Sequence, residues 1–116
     1  MNKSILGLLV MLAGPVGAEE WRQLTAAQIT SALAARVVVY APGTKLNFFV
    51  DGRTLYKAGA GESWRKWRVE GAHYCSVWPP SERWACYGVE AEAGGLDLRF
   101  LAEDGAVTAG PYQDQP

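Results

Sequence analysis

The chain has 116 residues, a net charge of −1 and two cysteines, with 49% hydrophobic and 20% charged residues. That length holds one small domain. A near-neutral balance without long runs of either sign excludes recognition of nucleic acid or an anionic membrane by bulk electrostatics.

The chain opens MNKSILGLLVMLAGPVGAEEW. Lys3 is a short positive start, Ile5 to Ala13 an apolar run, Gly14-Pro15 a break, and Val16-Gly17-Ala18 a small-residue cleavage pattern. The expectation is a signal peptide over residues 1–18, cut after Ala18, and a mature domain over 19–116 in the periplasm or secreted. A membrane span takes about 20 apolar residues. The run here is shorter, so no membrane insertion is expected after cleavage. No cysteine follows Ala18 to carry a lipid anchor, and loss of Lys3 takes the net charge to −2.

Leu24-Thr25-Ala26-Ala27-Gln28-Ile29 reads as a helix start. Thr25 caps, Gln28 reaches back, and Leu24 with Ile29 forms a hydrophobic staple. Alanine-rich residues carry the helix to Ala35, with Ile29 and Leu33 on its buried side.

From Arg36 the hydrophobic period becomes two. Arg36 to Tyr40 is a β-branched run, turned by Ala41-Pro42-Gly43-Thr44. Lys45 to Val50 and Arg53 to Lys57 flank Asp51-Gly52, a type I′ hairpin signal that would set Phe48 opposite Leu55 and Phe49 with Thr54 and Tyr56. Ala58 to Gly61 reads as a flexible link, and Ser63 to Glu70 as a further strand. Leu96, Leu98 and Phe100 alternate with Asp97 and Arg99, a half-buried strand. Asp104-Gly105 turns it into Ala106 to Tyr112, and Gln113 to Pro116 is expected to fray. A mainly β fold results: one short helix, then about eight short antiparallel strands in a meander, curled into a barrel or strongly bent sheet. Closure hides edges that a flat sheet leaves open.

Cys75 and Cys86 flank the turn Pro79-Pro80-Ser81-Glu82. A four-residue turn there sets Trp78 against Arg83, Val77 against Trp84, Ser76 against Ala85 and Cys75 against Cys86. Opposed residues lie within disulfide range, and an oxidising compartment favours the bond. A zinc site would need two further ligands where only His73 is near, and the spacing is not CxxC. In that register Tyr74, Ser76 and Trp78 share a face with Arg83, Ala85 and Tyr87. His73, Cys75, Val77, Trp84, Cys86 and Gly88 share the other. The disulfide face is the expected core. The first face then forms an aromatic strip, with Arg65 or Lys66 near it, able to stack a sugar or peptide.

Other chemistries have thinner support. Gly59-Ala60-Gly61-Glu62-Ser63-Trp64 lacks the third glycine of a dinucleotide fingerprint, and SWRKWRVE after it reads as strand rather than helix. His73 is the only histidine. A triad could draw on Ser76 or Ser81, but no nucleophile elbow is present. Glu62, Glu70, Glu82, Glu90, Glu92 and Asp97 suit strand edges and turns as well as paired catalytic carboxylates.

The segments Gly52-Arg53-Thr54-Leu55-Tyr56, Trp67-Arg68-Val69-Glu70-Gly71, Tyr74-Cys75-Ser76-Val77-Trp78-Pro79-Pro80-Ser81 and Trp84-Ala85-Cys86-Tyr87 resemble a family of small exported bacterial proteins of unknown function. Some similar sequences carry the product name dihydrodipicolinate reductase. That name implies a cytoplasmic nicotinamide enzyme with a Rossmann domain, and no catalytic residue carries over to this chain.

The leading reading is a non-enzymatic exported module with no cofactor and no metal. It binds a small ligand, a cell-wall fragment or an envelope protein through Arg65, Tyr74, Trp78, Arg83 and Tyr87. The alternatives are an enzyme, either that reductase or a hydrolase using His73, and a purely structural envelope protein.

Overall fold

The computed structural model describes residues 20–95 and 97–113. The expected signal peptide with its Ala18 cleavage point, Leu96, and residues 114–116 of the tail lie outside the described residues. The elements run β1 (Trp21–Gln23), α1 (Ala26–Leu33), β2 (Val37–Ala41), β3 (Thr44–Phe48), β4 (Arg53–Ala58) and β5 (Gly61–Glu70). β6 (His73–Val77), β7 (Ala85–Glu92), β8 (Asp97–Ala102) and β9 (Val107–Pro111) complete the chain. Strands β2 to β9 pair antiparallel in chain order, and β1 adds to β7 beyond the end of β6. The result is the expected short helix and antiparallel meander, closed almost completely into a barrel.

Closure brings β9 back to β2. Val38 bridges to Tyr112, and the Gln113 N–H donates to the Val37 carbonyl at 2.9 Å. Gly110 makes the seam possible, because a Cβ there would collide with the Val39 carbonyl oxygen. Gln113 does not fray: its side-chain oxygen also accepts from Lys45 Nζ at 2.7 Å.

α1 fills one end of the barrel. Thr25 and Gln28 form the expected capping box. The helix stops at Leu33, two residues before the expected end, because Arg36 N–H returns to the Leu33 carbonyl at 2.9 Å in a turn with Ala35 at φ 64°. Ile29 and Leu33 are fully buried beneath it, in a core with Leu24, Val38, Phe48, Trp67, Val89, Leu98 and Phe100. Phe48 meets the rings of Trp67 and Tyr74 edge-on at centroid distances of 5.5 and 5.6 Å. The Tyr112 hydroxyl donates to the Ala32 carbonyl at 2.7 Å, tying helix to seam. Among the described residues no helix is long and apolar enough to cross a membrane.

Three further local expectations change. The Asp51-Gly52 hairpin has a longer loop than the type I′ reading allows. Gly52 N–H donates to the Phe49 carbonyl at 3.1 Å, Gly52 takes φ 95°, and Asp51 Oδ1 accepts from Arg53 N–H at 3.1 Å. This is a turn followed by a glycine bulge. Phe48 therefore faces Thr54 rather than Leu55, and that slip of one residue sends Thr54 and Tyr56 inward and Leu55 outward. The Asp104-Gly105 hairpin is built the same way, with Gly105 at φ 93° and Asp104 Oδ1 accepting from Ala106 N–H at 2.9 Å. The segment from Ala58 to Gly61 is no flexible link but a two-residue turn, with Ala58 and Gly61 themselves paired.

The third change concerns the cysteine hairpin. Where the strands pair the register is as expected, Cys75 with Cys86 and Ser76 with Ala85, and the disulfide forms across a Cα separation of 4.0 Å. Pairing stops at Ser76 and Ala85, so the connection is longer than the expected four-residue turn and the Val77–Trp84 and Trp78–Arg83 ladder pairs are not made. The hairpin's faces are reversed. Tyr74 and Ser76 point into the barrel and Tyr74 joins the core, whereas Cys86 and His73 are exposed on the outside. Cys75 and Val77 are buried on that outer side, where Arg68 lies over the Trp84 ring at 3.9 Å. The neighbouring strand decides the matter. The two-residue turn at Gly71-Ala72 pairs Glu70 with His73, which sets Val69 beside Tyr74 and Trp67 beside Ser76. The alternate positions Lys66, Arg68 and Glu70 carry charge, so their row, and Cys75 with it, belongs outside.

Candidate functional site

The end of the barrel without the helix holds a cavity of about 290 Å³. Its wall is drawn from nearly every strand: Tyr40 from β2, Tyr56 from β4, Arg65 from β5, Tyr74 from β6, Tyr87 from β7 and Phe100 from β8. Trp78 stands at the rim, 56% exposed. Thr44, Ser76 and Thr108 add hydroxyls, and among the described residues no acidic side chain lines the space. Period-two alternation explains the convergence, since each of these residues holds an inward position near the same rim.

The rings form a continuous surface. Tyr74 stacks on Tyr87 at 5.8 Å and meets Phe100 edge-on at 5.5 Å, and Phe100 meets Tyr40 at 5.7 Å. Arg65 is buried, 8% exposed, and its guanidinium carbon lies 3.9 Å from the Tyr56 ring centre and 3.2 Å from that of Trp78. Those two rings are 6.2 Å apart, so the cation lies between them. Among the described residues no ion pair or hydrogen bond reaches its side chain, and its buried Nε has no partner. Desolvation draws the guanidinium below its ordinary range; such a group still keeps its charge at neutral pH. Burial pushes the Tyr74 phenol up to about 12, and the Tyr40 phenol well above its ordinary value. Both phenols are therefore neutral at neutral pH, able to donate or accept a hydrogen bond.

Arg65, Tyr74, Trp78 and Tyr87, chosen from sequence, thus line one cavity. Arg83 does not. It is exposed in the connection between β6 and β7, where its N–H donates to the Ser81 hydroxyl at 3.1 Å. Lys66 points outward beside Val77. Sequence reasoning missed Tyr40, Tyr56, Phe100, Thr44 and Thr108, which lie on strands far apart in the chain. Only barrel closure brings them together, although the inward positions of Tyr40 and Phe100 follow from alternation alone.

Other candidate chemistries are not assembled. His73 and Ser76 lie on opposite faces of β6, and Ser81 is in an exposed loop. Glu70 pairs with Arg68 at 2.7 Å, Glu90 with Arg99 at 2.6 Å and Glu62 with Lys57 at 3.5 Å, all away from the cavity. The Glu70 carboxylate lies near both sulfurs of the disulfide, which are bonded to one another and offer no thiolate. The nicotinamide dinucleotide implied by the reductase name does not fit the Gly59–Gly61 segment. That turn joins two antiparallel strands and presents no helix N-terminus to a pyrophosphate.

Comparison with protein-family models, with curated proteins and with solved structures finds no match to this chain.

Proposed function

We propose that this protein is an exported binding module whose barrel mouth receives a small, flat, largely apolar ligand. One observation carries the reading: aromatic side chains from separate strands converge on a single open cavity instead of filling it. Small-molecule sites are concave, apolar and edged with a few polar groups, and this mouth has that composition. The hydroxyls of Thr44, Ser76 and Thr108 are the polar edge, and Trp78 is placed to fold over a bound ring. The same residue set explains why the chain carries so many aromatics for its size beyond those packed under α1. The signal-peptide pattern at residues 1–18 supports a role for this module outside the cytosol.

The test is a thermal-shift screen of small aromatic and cyclic compounds, repeated on two variants. Thr108→Trp would block the mouth from an exposed position on β9, and Arg83→Ala, outside the lining, serves as a control. Compounds that bind the mouth raise the unfolding temperature of the wild type and of Arg83→Ala but not of Thr108→Trp. Hits that stabilise all three proteins equally would place binding elsewhere and end this reading.

A further inference from the structure

Resting on the reading of the mouth as a ligand site, we infer that its ligand bears a carboxylate, and that Arg65 receives this group through the in-plane edge of its guanidinium. The geometry of the cation points there. The guanidinium carbon lies over two rings, 3.9 Å from the centre of Tyr56 and 3.2 Å from that of Trp78. A guanidinium that lies over aromatic rings offers an acceptor its in-plane N–H edge. That edge is a planar fork of N–H donors that matches a carboxylate in two parallel bonds.

Among the described residues nothing takes that role. Arg65 is 8% exposed and lines the cavity, its Nε is buried without an acceptor, and none of the described residues around the cavity is acidic. Thr54, directly opposite on β4, also has a buried hydroxyl without a partner, so the neighbouring strand supplies no side-chain acceptor to the cation. The Tyr40 and Tyr74 phenols facing the same space are held neutral by burial, and they do not compete with an incoming anion. A buried cation without a counter-charge is costly unless something supplies one, and only the open side of the cavity remains to do so.

The number of charges narrows the ligand further. One guanidinium is present, with no lysine and no helix N-terminus among the lining groups. A phosphate dianion would meet too little positive charge there, whereas a monocarboxylate is balanced one to one. The aromatic wall formed by Tyr74, Tyr87 and Phe100 suits a planar ring attached to it. The class is a small ring-bearing monocarboxylate.

Titration calorimetry at constant ionic strength separates the two layers of the argument. The probes are benzoate and indole-3-acetate, each set against its neutral amide, benzamide or indole-3-acetamide. The wild type is expected to bind at least one acid about tenfold or more tightly than its amide, as a charge-assisted bidentate contact requires. Arg65→Met is expected to bring acid and amide to within about twofold of each other, because the charge that distinguishes them is gone. Equal binding of acid and amide by the wild type overturns the carboxylate assignment and leaves the mouth as a binding site; this comparison needs no variant to fold. A preference for acid that persists in Arg65→Met removes Arg65 from the role. Binding of neither acid nor amide at millimolar concentration overturns both the assignment and the mouth.

Discussion

The Arg65 guanidinium carbon lies 3.2 Å from the centre of the Trp78 ring, at the lip of a cavity whose described lining offers the cation no carboxylate. Stacking on two rings recovers roughly 0.5 to 2 kcal/mol per contact. Taking a charge out of water costs several kcal/mol. Arg65→Met is therefore expected to leave stability unchanged within about 1 kcal/mol or to raise it, since Met preserves much of the stem's packing. Urea denaturation of the two proteins checks this. A loss of about 2 kcal/mol or more would mean that the stacked cation holds the barrel together rather than waiting for a partner.

Alkaline pH should weaken the fold. The Tyr74 phenol ionises near 12 in the folded protein, and burial raises Tyr40 well above its ordinary value too. Both folded values lie above the unfolded value of about 10. Their contribution is therefore fully present below pH 10 and is lost as pH rises from there through the folded values. In that window the unfolded chain has released protons that the native chain still binds, and each such tyrosine lowers stability by on the order of 1 kcal/mol per pH unit. Denaturation midpoints should be level between pH 7 and 9 and fall steeply from 10 to 12. Tyr74→Phe should flatten that fall.

The disulfide closes a short loop, with a sequence separation of 11 between its cysteines. By chain entropy such a cross-link stabilises by about 2 to 3 kcal/mol, a large part of what a small domain has. The Cys75→Ala, Cys86→Ala double variant should lose that amount in guanidinium denaturation. Its hairpin register should survive, because Tyr74 stays fixed between Phe48, Tyr87 and Phe100.

At the seam, Gly110→Ala would drive a Cβ into the Val39 carbonyl oxygen, and neither backbone has a flexible end that could yield. A loss of about 1 to 3 kcal/mol is expected. Faster amide exchange should accompany it at Gln113, whose N–H bonds to the Val37 carbonyl. Unchanged stability and unchanged exchange would show that β2 and β9 do not depend on this close approach.

Ala35 gives the opposite sign. It holds φ 64° in the turn that returns Arg36 N–H to Leu33, a conformation that costs an L-residue roughly 1 to 2 kcal/mol. Ala35→Gly relieves that strain and gives back part of it through the greater freedom of the unfolded chain. A net gain of about 0.5 to 1 kcal/mol in thermal denaturation is expected.

Local features were legible in the residues because their causes are local. Thr25 and Gln28 cap α1 as their spacing requires, Asp-Gly marks both bulged hairpins, and the Pro-Pro turn sets Cys75 opposite Cys86. A hairpin with apolar side chains on both faces, however, does not itself say which face is inside. Tyr74 and Ser76 point inward because the Gly71-Ala72 turn aligns them with Val69 and Trp67, and because Lys66, Arg68 and Glu70 need water. That choice belongs to the pair of strands and could have been read from the turn. The cavity belongs to the closed sheet: Tyr40 and Phe100 meet across the barrel only once Gly110 lets β9 approach β2. Periodicity assigns each residue a side of its own strand, and only the curvature and closure of the whole sheet decide which inward residues share a space.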